Sequence, residues 1–140
     1  MSQENVERLR EAFDNFLAGK SEWGAELVDP NVEWDGTNAL IFDIDRVYHG
    51  QEGVRQYWRE WLSAWETVQF EYELVDAGDS VVVATRIWAR GKGSGVEGEM
   101  PQGMVYSLRN GLVTRVDLYE SKRIALEAVG LSEQDAHADS

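Results

Sequence analysis

The sequence predicts a single α+β domain, with helices in its first half and long antiparallel strands in its second. Three observations predict it. Apolar residues recur at steps of three and four in the first half and at steps of two from residue 68. Asn110-Gly111 lies between two alternating runs, the strongest short hairpin signal a sequence carries. The 140 residues correspond to one domain at roughly 150 residues per domain. Helices segregated from antiparallel strands mean α+β, not a doubly wound parallel sheet.

The elements follow in order. Val6, Leu9, Phe13, Phe16 and Leu17 form one stripe of an amphipathic helix over residues 3–18, with Gly19 as its C-terminal glycine. A short second helix is expected to hold Trp23 and Leu27 and to stop at Asp29-Pro30. Short strands are expected at Val32–Trp34 and Arg46–Tyr48. A third helix is expected from Glu52 to Trp65, with Val54, Tyr57, Trp58, Trp61, Leu62 and Trp65 as its broad apolar face. Val68, Phe70, Tyr72 and Leu74 then alternate with Gln69, Glu71 and Glu73, a strand with one buried face. Ser80–Arg90 is the next strand, Gly91–Gly95 a hairpin loop, Glu99–Arg109 and Leu112–Glu120 the last two strands. Met100, Gln102, Met104, Tyr106 and Leu108 share one face. A closing helix is capped by Ser121 and ends at Gly130. The domain spans 1–131, and 132–140 is a polar tail.

Composition excludes several functions. Thirteen Lys and Arg against 26 Asp and Glu give a net charge of −13, which repels nucleic acid and anionic membranes. No apolar run reaches the ~18 residues of a membrane span. The polar N-terminus does not read as a secretory signal, so a cytoplasmic location is expected. The absence of cysteine removes disulfides, thiolate metal sites and a cysteine nucleophile together. His49 and His137 have no partners for a metal site, and Asp43 and Asp45 lack calcium-loop spacing, so no metal is expected. The glycines at 91–95 lack the lysine-serine ending of a phosphate loop.

Several segments in order carry a resemblance: Leu17-Ala18-Gly19-Lys20, Leu27-Val28-Asp29-Pro30-Asn31-Val32-Glu33-Trp34, Tyr48-His49-Gly50-Gln51-Glu52-Gly53-Val54, Leu108-Arg109-Asn110-Gly111 and Ala125–Leu131. Together, over residues 3–131, the chain resembles the SnoaL-like branch of the nuclear transport factor 2 superfamily, which includes ketosteroid isomerases, limonene epoxide hydrolases and scytalone dehydratase. The resemblance implies a cone-shaped barrel of helices on a strongly curved antiparallel sheet. It also implies a mostly apolar interior pocket and a homodimer packed through the outer sheet face. It does not imply a reaction, because one fold hosts many.

Against that resemblance, Asp35 falls where the isomerases keep a general-base aspartate, and an apolar pocket raises a carboxylate's pKa toward that task. As plain sequence it reads as an ordinary loop aspartate capping Gly36-Thr37. The isomerases' helix-borne tyrosine falls near Ala12, which donates nothing, and losing such a donor costs ~100–1,000-fold. Tyr106 can supply a hydroxyl on the third long strand. Arg86 matches an arginine of the epoxide hydrolases, but Trp88 stands where their aspartate follows. Inward, Arg86 would hold an anion by its fork; outward, it would pair with Glu71, Glu73 or Asp117.

The expected catalytic set is therefore Asp35, Tyr106 and Arg86. Trp34, Tyr48, Trp58, Trp61 and Trp88 are the candidate ligand-contacting aromatics, though most of the six tryptophans are expected to be core. Met100, Met104, Leu118 and Glu120 complete the candidate lining. Residues 36–45, with the apolar run 39–42, read as a lid or a dimer contact. The expected function is a cofactor-independent acid–base enzyme of isomerase, hydrolase, dehydratase or cyclase type, acting on a small apolar or carbonyl-containing molecule. The alternatives are a binding module for an apolar metabolite and a homodimeric association domain.

Overall fold

The computed structural model describes residues 2–18, 27–36, 47–63, 65–93 and 95–132, apart from the side chains of Ser2, Trp61, Leu62 and Met100. Three helices and six strands are described: α1 (Ser2–Leu17), β1 (Val28–Asp35), β2 (Val47–His49), α2 (Gly50–Ser63), β3 (Trp65–Asp76), β4 (Ser80–Gly91), β5 (Glu97–Arg109), β6 (Leu112–Tyr119) and α3 (Lys122–Ala128). The strands form one sheet in the order β2-β1-β6-β5-β4-β3.

Most boundaries match the periodicity, and three corrections have clear reasons. Residues 28–31 form a strand instead of ending a helix. Pro30 is tolerated because the β1–β6 pairing is irregular between Val28 and Glu33, where a missing N–H removes no regular bond. Trp23 and residues 37–46, which hold all of the expected lid but Gly36 and include Asp43 and Asp45, lie outside the described residues, as do Gly19 and His137. Trp65 opens β3 instead of closing α2, and it faces Gly91 of β4. The sheet is also mixed, not purely antiparallel, because β1 runs parallel to β6.

The turn chemistry is as expected. Asn110 (φ 55°) and Gly111 (φ 79°) supply the two positive-φ residues of a tight hairpin. The Ser121 hydroxyl accepts from the Ile124 N–H and caps α3.

Strand alternation separates two faces. Val32, Trp34, Val81, Val83, Ile87, Met104, Tyr106, Val116 and Leu118 point to one of them and are buried with Leu9 and Phe13 of α1 and Val54, Tyr57 and Trp58 of α2. α2 packs on β1 and β2 at one edge of the sheet, and α1 packs on β3 and β4 toward the other. The two helices meet over the middle of the inner face, where Phe16 of α1 lies 5.5 Å from Trp58 of α2, centroid to centroid. Together they cover the inner face from edge to edge, and the sheet curls around them. On the opposite, outer face α3 covers Val75, Val82 and Val105 with Ala125 and Leu126.

Candidate functional site

Inside the curl the sequence has placed rings. Trp34 lies 4.9 Å from Tyr57, 5.8 Å from Trp58 and 6.0 Å from Tyr106, centroid to centroid. Phe13 extends the cluster to Tyr106 and to Tyr72, and Tyr48 meets Tyr57 edge-on. These spacings are those of favourable aromatic pairs, so the cluster is the packed core of the inner face.

The cluster has a polar floor. Gln102, adjacent to Thr85 in the β4–β5 register, is 4% exposed, and its Nε2 has no hydrogen-bond partner among the described residues. It approaches the Tyr57 hydroxyl, as does the Trp34 indole, without Gln102 reaching hydrogen-bond geometry. Burial pushes the Tyr57 hydroxyl far above its ordinary pKa. Burial does the same to Tyr106, aided by Tyr57 nearby. Both hydroxyls therefore stay protonated and can donate. Tyr48 donates to Glu60 Oε1 at 2.9 Å, bringing a carboxylate to the rim of the cluster. At the outer end of the α1–β3 packing, Tyr72 donates to an Asp14 carboxylate oxygen. Burial, followed by that carboxylate, pushes the Tyr72 hydroxyl up to about 12.

The structure does not bring Asp35, Arg86 and Tyr106 together. Trp34 points inward, so Asp35 points to the outer face, where its Oδ2 lies 2.8 Å from Arg115 Nη2. Arg115 also reaches Glu33 at 2.6 Å and Asp117 at 2.9 Å. Burial raises the Asp117 pKa; Arg115 opposes this, and the like charges of Asp35 and Glu33 add to it. Burial also pushes up the Tyr119 hydroxyl, with Asp117 adding to the effect. On Arg115, burial favours loss of the proton but its three carboxylates outweigh it, and its pKa rises. Asp35 is thus one arm of an outer-face clamp and not a carboxylate in an apolar pocket.

Arg86 is likewise outward, its Nε 2.8 Å from Glu99, while Ile87 takes the inward position. The partner is Glu99, not Glu71, Glu73 or Asp117. Trp88 shares the outer face and is 47% exposed, so it lines no interior surface. Glu120 follows the end of β6 and is exposed. Trp34, Tyr48, Trp58, Met104, Tyr106 and Leu118 are inward as expected. The Trp61 and Met100 side chains lie outside the described set. Tyr57, Gln102 and Glu60 were not among the expected site residues. Gln102 alone had a signal, a polar residue amid apolar ones on the predicted inner face of β5.

Among the described residues, no group of three or more His, Cys, Asp or Glu side chains could hold a metal ion. No described helix is long and apolar enough to cross a membrane.

Comparison with known proteins places this geometry. An NTF2-like protein of unknown function from Burkholderia pseudomallei K96243 superimposes with a TM-score of 0.72 at 15% identity, covering 90% of this chain and 97% of that one. A protein from Jannaschia sp. CCS1, named for its likeness to SnoaL polyketide cyclases, gives 0.70 at 19%, covering 84% and 85%. TerC, co-crystallised with polyporic acid, gives 0.70 at 17%, covering 89% and 97%. At these identities the likeness shows a shared fold. The comparison with curated proteins gives no match. The model of the SnoaL-like domain matches residues 6–116, most of the chain, and the protein is a member of the SnoaL-like family with its α+β cone fold.

Proposed function

We propose that the chain is a cofactor-independent enzyme that binds a flat, oxygen-bearing small molecule within the aromatic interior and catalyses acid–base chemistry there. The observation that carries this reading is the buried Gln102 amide, whose nitrogen lacks a partner among the described residues and lies near the Tyr57 hydroxyl. Leaving such a donor unmade costs ~1–3 kcal/mol, and a ligand carbonyl oxygen would satisfy it. The same donors would stabilise charge developing on that oxygen, and Glu60, held by Tyr48, takes in this reading the proton-handling part first expected of Asp35. The fold-mate TerC, co-crystallised with polyporic acid, agrees with a small oxygen-bearing ligand.

The test pairs 1-tetralone with tetralin, a ketone and its hydrocarbon counterpart. Wild type should show a melting shift with the ketone that exceeds the hydrocarbon's, since a ligand binding only the folded state stabilises it by mass action. Gln102→Leu should abolish the difference and keep the fold. Equal shifts for both ligands in wild type would sink the proposal. A ketone that binds but whose α-hydrogens do not exchange with deuterium from solvent would favour the non-catalytic binding module.

We also propose a homodimer through the outer sheet face. Trp88 stands there exposed between the Arg86–Glu99 pair and Arg90, itself within 3.9 Å of Glu97. An exposed aromatic framed by paired charges is how interface centres are built. Sedimentation should show a dimer for wild type and a monomer for Trp88→Lys; a wild-type monomer at high concentration would refute it.

A further inference from the structure

Away from the aromatic interior, the first turns of α1, the β3–β4 turn and the β5–β6 hairpin enclose a groove of about 860 Å³. Polar side chains are prominent in its walls: Asn5, Ser80, Ser107, Asn110 and Thr114 line it, beside Leu108. It also holds four charged side chains, Arg8, Arg109, Glu4 and Asp79.

None of the four takes part in an ion pair among the described residues. The contrast with the rest of the surface is sharp. Arg55, Arg59, Arg86, Arg90, Arg115 and Arg123 each hold a carboxylate. Among the nine described arginines, Arg8, Arg10 and Arg109 hold no carboxylate, in a chain with twice as many acids as bases. Here two such arginines share one groove with two acids they do not pair with.

The frame of the groove is built. The Leu108 N–H donates to the Asp79 carbonyl at 3.3 Å and ties the two turns together. The Thr114 hydroxyl donates to the Ser107 carbonyl at 3.2 Å. A methyl group on Gly111 would come within 2.9 Å of Arg8 Nη1, so the hairpin glycine leaves room for the guanidinium.

From this geometry we infer that the groove binds a small zwitterion, a molecule carrying both a carboxylate and an ammonium group, such as a free amino acid or a short peptide. Arg8 and Arg109 receive the carboxylate, which a guanidinium fork matches with two parallel bonds. Glu4 and Asp79 receive the ammonium. A simple anion would leave both acids facing like charge, and a simple cation would leave both arginines so. The hydroxyl and amide lining suits a polar ligand and not the flat apolar one of the interior.

The experiment is an NMR titration of the whole protein with glycylglycine at millimolar concentration. The controls are N-acetylglycine, which lacks the ammonium, and glycinamide, which lacks the carboxylate. The backbone amides of residues 107–111 should shift with glycylglycine, and each blocked compound should bind about tenfold more weakly, the loss expected for one charge-assisted anchor. Arg8→Gln and Arg109→Gln, both at exposed positions, should each weaken glycylglycine by a similar factor while leaving the spectrum otherwise folded. No shift at the hairpin amides, equal binding of the blocked compounds, or unchanged binding in both variants would each overturn the inference.

Discussion

Gly103→Ala should melt about 10 °C below wild type, the largest loss expected from adding one methyl group anywhere in the described chain. A Cβ at this position would run into the Ser121 carbonyl oxygen and come within 2.8 Å of the Ala125 Cβ. Ser121 is the cap of α3, and a backbone carbonyl at a capped helix start cannot swing aside as a long side chain can. The helix must lift from Val82 and Val105, which it covers, at an overpacking cost of about 3 kcal/mol. Thermal unfolding measures the loss, and hydrogen exchange should show it concentrated in α3. A second change, Ala125→Gly, should restore only part of the stability because the Ser121 carbonyl remains. Unchanged melting in Gly103→Ala would mean that α3 does not sit on this strand as described. The consequence reaches the interior, since Gly103 adjoins Gln102 and a displaced α3 loosens the strand that carries the buried amide.

Arg115→Met should cost about 2 kcal/mol, because it leaves Glu33, Asp35 and Asp117 together on one patch with no cation among them. The value is set below that for a fully buried pair because the arginine side chain is 39% exposed and water screens part of the repulsion. The sign of the pH dependence follows from Asp117. Its folded pKa is raised above the ordinary 3.8, so within that window the folded state holds a proton that the unfolded state has released. Its contribution to stability is therefore fully present below the ordinary value and is lost as pH rises through the raised one. Without Arg115 the carboxylates repel unopposed, so the variant should lose more stability than wild type between about pH 4 and about pH 7. Melting curves across that range test it. A variant whose deficit is constant with pH would show that Arg115 acts by packing and not by charge.

The helices, the long strands and the hairpin were readable because each rests on local chemistry. Alternation from Val68 onward, the Asn110-Gly111 turn and the Ser121 cap need only their neighbours. β1 was harder, because Pro30 is a helix-stopper in isolation and survives in a strand only through an irregular pairing with a segment far along the chain. The site errors have one cause. Adjacent strand residues face opposite ways, so Trp34 and Asp35 cannot both line the interior, and neither can Ile87 and Arg86. The parity was in the sequence; which parity faces inward depends on the helices that cover the sheet. Gln102 lay on the inner face of β5 and was passed over, because a polar residue shows itself as unsatisfied only when its surroundings are known. Glu60 reaches Tyr48 through packing of α2 on β2, which no periodicity displays.

The parallel pairing of β1 with β6 has a consequence for how the chain is made. Asp35 and Glu33 meet Arg115 across 80 and 82 residues of sequence, while β3, β4, β5 and β6 pair with neighbours in order. Closing so long a loop costs entropy that the contact returns only when the far segment exists. During synthesis the ribosome releases β1 first, and its partner strand emerges only after the whole meander. The meander can assemble as it appears, while β1 and β2 wait with open edges. Circular permutation that joins the ends and opens the chain within 92–96, the β4–β5 turn, would place β6 ahead of β1 in the order of synthesis, and refolding on the ribosome should then become faster for this edge of the sheet.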